Sequence, residues 1–81
     1  MNQELAAAKG NLADLKLRIE EAVMAIDEER RHLREITGAM IPARDLDPVR
    51  IIFLSSRLVK AIEDLRVLEA KAKAIREEYN L

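Results

Sequence analysis

Residues 37–48 read TGAMIPARDLDP, and they decide the fold because they hold both prolines of the chain and one of its two glycines. A helix end is predicted at Gly38, where a glycine at the C′ position adopts a left-handed backbone at the least cost. A helix start is predicted at Asp47-Pro48, because aspartate caps free amides and proline suits the first turn. The sequence therefore predicts helix 1 over residues 2–37, a loop over 38–46 and helix 2 over 48–79.

Outside this loop, apolar residues recur at alternating steps of three and four, and the average of 3.5 is the period of a supercoiled helix seam. Helices of nearly equal length joined by a short loop favour antiparallel neighbours. We therefore expect an all-α fold, an antiparallel two-helix coiled-coil hairpin. The stripe positions are Leu5, Ala8, Leu12, Leu15, Ile19, Ala22, Ile26, Glu29, Leu33 and Ile36 in helix 1, and Ile51, Leu54, Leu58, Ala61, Leu65, Leu68, Ala72, Ile75 and Tyr79 in helix 2.

The alternative architecture is one uninterrupted helix in a parallel coiled coil. Gly38 and the two prolines argue against it, because a proline inside a helix removes a hydrogen bond and clashes with the preceding turn.

Length and composition narrow the class of protein. With 81 residues the chain is one domain, and it contains no cysteine for disulfides or thiolate metal sites. A net charge of −1 gives no bulk attraction to nucleic acid or to anionic membranes. No apolar run approaches the roughly 20 residues that span a bilayer, and the first ten residues show no secretory signal. We therefore expect a cytoplasmic protein with no membrane association.

Several apolar residues lie outside the stripes, and a lone hairpin would leave them in water. Packing two hairpins into a four-helix bundle would bury them, so we expect a homodimer. The alternative is a monomer in which the loop residues Met40, Ile41 and Leu46 fold back over Phe53. The predicted dimer interface on helix 2 comprises Val49, Ile52, Phe53, Ser56 and Val59, and helix 1 adds Leu17, Val23 and Met24.

Charge divides the chain into an acidic and a basic part. Residues 1–29 carry three basic and seven acidic groups, a balance of −4, whereas residues 30–60 carry seven basic and three acidic groups, a balance of +4. A folded hairpin would be basic at its loop end and acidic toward its termini. Two such rods attract best when the basic end of one lies beside the acidic end of the other.

Glu29 is the one charged residue in the stripes, and the only histidine, His32, follows it by three residues. Glu-x-x-His is the spacing used in di-iron helical bundles. The partner helix has no acidic residue at this height, so we predict no metal site and no cofactor. We instead expect Glu29 to be a buried polar residue that meets Arg57 or Ser55 and fixes the register.

A basic run near the loop is the candidate contact for nucleic acid or another partner, because arginines suit phosphates. The alternative is a solvated face with intrahelical ion pairs such as Asp27–Arg31. The loop tip, residues 40–44, could also dock on a partner protein, or could simply close the end of the bundle. The candidate arginines are Arg30, Arg31, Arg34, Arg44, Arg50 and Arg57.

Residues 46–62, LDPVRIIFLSSRLVKAI, resemble the second helix of the small sporulation aspartyl-phosphate phosphatases. These are two-helix hairpins that dephosphorylate response regulators, and their helix carries a Ser-Gln-x-Leu-Asp motif. Ser55, Leu58 and Ile62 fit this pattern, whereas Ser56 replaces the Gln and Val59 replaces the acidic residue. The resemblance therefore implies binding to response regulators without the phosphatase activity.

No catalytic constellation is visible, because Ser55 and Ser56 have no adjacent histidine and no glycine-rich phosphate loop exists. We therefore expect a non-enzymatic hairpin that acts through protein–protein interaction and self-association. A nucleic-acid-binding hairpin dimer and a response-regulator-binding effector are the alternatives.

Overall fold

The computed structural model describes residues 2–81 and shows two long helices joined by a short connection. Helix α1 spans Asn2–Thr37, a 3₁₀ turn spans Ala43–Asp45, and helix α2 spans Pro48–Tyr79. No strand occurs in residues 2–81. The helix bounds agree with those expected from the sequence, and the molecule is a helical hairpin measuring 63 × 15 × 14 Å.

The start of α2 follows from the side chain of Asp47. One carboxylate oxygen of Asp47 accepts hydrogen bonds from the backbone N–H groups of Val49 at 3.1 Å and Arg50 at 3.2 Å. Pro48 occupies the first turn, where its missing N–H costs nothing. These two residues therefore terminate the connection and begin the helix, as their sequence predicts.

The end of α1 differs from the expected glycine cap. No glycine in the described chain has a positive φ, so Gly38 does not adopt the left-handed conformation, and that prediction is wrong. The chain instead leaves the helix through a turn in which the Ile41 N–H donates to the Gly38 carbonyl at 3.0 Å. A Cβ at position 38 would lie 3.1 Å from the Arg34 carbonyl oxygen, so a larger residue would need this oxygen to move by a few tenths of an ångström.

The end of α2 does use a left-handed cap. Asn80 has φ 54° and ψ 45°, and its backbone N–H donates to the Arg76 carbonyl. Asparagine tolerates this conformation better than other residues with a Cβ, so it serves where glycine would otherwise be expected.

The helices pack through the two stripes. Every stripe residue is buried or half-buried except Leu5, which is 36% exposed, so the predicted periodicity is confirmed. The core is nevertheless thin, because only two helices contribute to it, and even Leu12 and Leu54 keep 7% exposure. The stripe residues that are buried are Ala8, Leu12, Glu29, Leu54 and Ala72.

Candidate interaction surface and the Glu29–Arg57 pair

The N-terminal half of α2 carries a group of exposed apolar side chains. The exposed fractions are 75% for Val49, 67% for Ile52, 60% for Phe53 and 54% for Val59. Ser56 lies among them, and its hydroxyl donates to the Ile52 carbonyl at 2.9 Å within the same helix. All five residues of the predicted interface are thus accessible in the single hairpin, at spacings of one, three and four residues that keep them on the outer half of the helix.

The connection does not cover this surface. Met40 is 95% exposed, and Phe53 keeps 60% exposure. Ile41 and Leu46 are half-buried. The structure therefore shows no cover of Phe53 by the loop, which the monomeric alternative required.

Helix α1 adds exposed apolar side chains on its own outer surface. Leu17 is 55% exposed, Val23 is 42% exposed and Met24 is 71% exposed. On α2, Val67 is 54% exposed, and sequence reasoning passed over it because charged residues surround it. The sequence could have identified Val67 by its spacing, because it follows Phe53 by fourteen residues and Lys60 by seven. These spacings place the three residues on one side of the helix.

Glu29 is held between the helices. It is 7% exposed, and its Oε1 lies 2.8 Å from an Arg57 guanidinium nitrogen, so the partner is one of the two residues expected from the sequence. The same guanidinium lies 5.8 Å from the centre of the Phe53 ring, within the range of a cation–π contact. Arg57 thus connects a buried carboxylate on α1 to an exposed aromatic ring on α2.

The second carboxylate oxygen of Glu29 is buried and accepts no hydrogen bond. Its neighbour is His32, whose Nδ1 lies 3.9 Å from Oε2, beyond hydrogen-bonding distance. Glu29 and His32 therefore lie side by side at the Glu-x-x-His spacing. Within residues 2–81, no group of three or more potential metal ligands comes together.

The six candidate arginines are all exposed, but they differ in their partners. Arg30 pairs with Asp27 at 3.3 Å, and Arg57 pairs with Glu29. The expected Asp27–Arg31 pair is not formed, because Asp27 uses the residue three positions on instead of four. In the described part of the chain, no carboxylate lies within 4.0 Å of the basic groups of Arg31, Arg34, Arg44 and Arg50.

Two shallow grooves follow the seam toward the termini. One is lined by Lys9, Lys16 and Arg76 together with Leu12, Ala13 and Leu81. The other is lined by Asn11, Asp14 and Lys71 together with Leu15, Ala74 and Ile75. Because each groove takes residues from both helices, the two sets identify which side chains share a side of the hairpin.

The residues that carry the resemblance to sporulation phosphatases lie on one helix. Ser55 is half-buried, whereas Ser56 and Val59 are exposed. The role that the resemblance implies for these positions stays a prediction.

None of the helices in residues 2–81 is long and apolar enough to cross a membrane. Comparison of the chain with known protein families, curated proteins and solved structures finds no match.

Proposed function

We propose that this protein is a non-enzymatic helical hairpin that acts by self-association and protein–protein interaction. Its helices pack as an antiparallel coiled coil, and two hairpins combine into a four-helix bundle. The observation that carries this proposal is the exposure of Val49, Ile52 and Val59, each more than half accessible on a chain whose core is thin. Exposed apolar surface of this kind marks an interaction site.

Packing energetics support the same conclusion. The hairpin buries one side of each helix, and among the residues whose burial is described, 3–81, it leaves no large side chain fully enclosed. Burying a large aliphatic side chain contributes about 2 kcal/mol, so enclosing the outer apolar residues in a second layer adds several such increments. Self-association therefore supplies stability that the single hairpin lacks.

Charge supports a side-by-side arrangement in which neighbouring hairpins run in opposite directions. The balance of +4 over residues 30–60 then lies beside the balance of −4 over residues 1–29 of the neighbour. Exposed charges of this kind steer orientation more than they add affinity, and salt screens them.

The proposal is tested by measuring the mass in solution at low and high salt. We expect twice the chain mass of 9.2 kDa at low salt, and a weaker dimer at high salt or in the variant R30E/R31E/R34E. Reversing three basic residues near the other end, in K71E/K73E/R76E, is the control and should not weaken the dimer. A mass of one chain at every concentration would refute self-association.

Nucleic-acid binding at the loop end is the second candidate function. It is favoured by Arg31, Arg34, Arg44 and Arg50, which are exposed and have no carboxylate partner in residues 2–81. Arginines that are free of ion pairs can contact phosphates. A gel-shift assay with generic RNA and DNA at low salt tests this function, and loss of any shift in R31E/R34E would support it.

A further inference from the structure

The hairpin has two broad faces, and the grooves show which residues belong to each. Lys9 and Lys16 share one groove with Arg76, whereas Asn11 and Asp14 share the other with Lys71. In a helix whose stripe repeats every seven residues, positions seven apart lie on the same side. Stepping by seven from the groove residues that lie within the helices therefore assigns the rest of each helix to one face or the other. Leu81 lies beyond the end of α2 at Tyr79 and does not enter this assignment.

The contacts between the helices also give the register. Glu29 contacts Arg57, and Lys9 lines a groove with Arg76, so residue numbers fall along α2 as they rise along α1. The same register places Val23 level with residues 62 and 63. Val23 lies seven residues from Lys16, and Ile62 lies fourteen residues from Arg76, so both are on the face of the first groove.

We call this side the apolar face, because its middle lacks charge at the positions next to the seam and is framed by charged residues. Val59 and Ile52 lie three and ten residues before Ile62 and border it on the outside. Val23, Ile52 and Val59 are 42%, 67% and 54% exposed, and Ile62 is half-buried. The apolar face comprises Val23, Ile52, Ser55, Val59 and Ile62.

The opposite side, the charged face, has a different composition. Its positions beside the seam are almost all charged or polar, and it carries two ion pairs, Arg18–Asp14 and Lys60–Asp64. Steps of seven place one ion pair, Arg30–Asp27, on the apolar face, toward the loop from Val23. Packing a second chain on the charged face would require its two ion pairs to lose their water, which costs free energy that the pairs seldom return. The charged face comprises Arg18, His32, Arg50, Arg57, Asp64 and Lys71.

We propose that the apolar face is the surface on which a second copy of this chain packs, with the two hairpins face to face and running in opposite directions. This inference rests on the proposed self-association and specifies the face and the orientation. It narrows the interface to Ile52 and Val59 on α2, and it adds Val23 and Ile62. Phe53 lies on the other side of α2, where Arg57 stacks over its ring.

Two identical faces can pack in only two symmetric ways, with the hairpins parallel or opposed. The parallel arrangement places the two basic loop ends side by side, and like charges repel. The opposed arrangement places α1 over the partner's α1, so the basic residues Arg30 and Arg34 face the partner's acidic half.

The face is tested with two valines of equal exposure on one helix. Val59 and Val67 are both 54% exposed, but Val59 lies on the apolar face and Val67 on the side of Phe53. We expect V59E to raise the dimer dissociation constant by roughly a hundredfold, because it buries an unpaired charge. V67E should change the constant less than about threefold, within the scatter of exposed substitutions. Circular dichroism of both variants checks that the helices are retained.

The outcomes separate this inference from the proposed function. If V67E disrupts the dimer and V59E does not, or if both disrupt it equally, self-association stands and the apolar face is wrong. If the unmodified chain is a monomer, both are wrong. If V59E unfolds, the more conservative pair V59T and V67T gives the same comparison with a smaller difference.

The orientation is tested by charge reversal. In the opposed arrangement R34E should weaken the dimer, because it lowers the positive charge of the loop end that lies beside the partner's acidic end. A dimer that R34E leaves unchanged or strengthens would overturn the opposed arrangement, because in the parallel arrangement R34E would relieve the repulsion between the two basic loop ends.

Discussion

At the scale of single residues, the Glu29–Arg57 pair is the most consequential contact between the helices. Glu29 is 7% exposed, and one of its carboxylate oxygens has no hydrogen-bond donor. A buried carboxylate in which one oxygen lacks a hydrogen-bond donor contributes less to stability than apolar packing of the same volume. Its use is to disfavour other registers, because sliding either helix would separate the carboxylate from Arg57.

The first prediction concerns this pair. Arg57→Leu should lower the free energy of unfolding by about 2 kcal/mol, because it leaves the Glu29 carboxylate buried without its cation. The double variant E29L/R57L should recover most of this loss, because the unpaired charge is gone. Urea unfolding of the two variants measures the difference. If the double variant were as unstable as R57L alone, the pair would not be the cause.

The two glycines differ in the space that their surroundings would leave for a side chain. Gly10 lies within α1, and a Cβ there would meet no atom within 4 Å, so nothing in the structure requires glycine at this position. Gly38 is crowded by the Arg34 carbonyl at 3.1 Å, although its backbone is not left-handed. The sequence predicted the right position for the end of α1 but the wrong backbone conformation for Gly38. The chain leaves the helix through a turn in which the Ile41 N–H donates to the Gly38 carbonyl.

At the scale of elements, each helix end is specified by local chemistry. Asp47 caps α2 through two backbone amides, and Asn80 closes the same helix with a left-handed backbone. In α1, the Thr37 hydroxyl donates to the Leu33 carbonyl at 2.6 Å in the last turn. These contacts lie within four residues of each other in the chain, so the sequence predicts the helix bounds well.

The second prediction tests the cap. Asp47→Ala should lower the free energy of unfolding by about 1 kcal/mol, because two amides in the first turn of α2 lose their acceptor. Asp45→Ala is the matched control, since it removes an exposed acidic residue two positions earlier whose side chain caps nothing in the structure. Thermal or urea unfolding of both variants decides the matter. Equal losses in the two variants would show that charge, and not capping, stabilises the helix start.

At the scale of the whole molecule, the hairpin is a thin rod 63 Å long, and several of its large apolar side chains are exposed to solvent. A dimer that forms through these side chains is linked to folding by mass action. The stability of the fold and its state of association should therefore change together.

The third prediction follows from this linkage. The melting temperature should rise with protein concentration over a hundredfold range in the unmodified chain, because folding is coupled to association. The rise should be lost in V59E, in which association is weakened and folding of the single hairpin remains. Melting followed by circular dichroism at several concentrations measures both. A melting temperature independent of concentration in the unmodified chain would contradict the coupling.

The sequence by itself determined the helices, their bounds, the central connection and the stripes through which they pack. These features depend on steps of three and four residues and on capping chemistry within a few residues, both of which can be read along one chain. It also predicted the partnership of Glu29 with helix 2, because Arg57 and Ser55 lie at the same height across the connection.

Only the tertiary structure decided which side chains share a face. The assignment of Val23 and Ile62 to one side and of Phe53 to the other depends on the register of two helices, and a single-helix pattern does not contain that register. From the sequence, the exposed apolar residues of α2 were grouped together because all of them lie outside the stripe. The hairpin separates Ile52 from Phe53, because neighbouring residues on a helix point about 100° apart. Packing of the α2 stripe against α1 leaves Ile52 on one side of the stripe and Phe53 on the other.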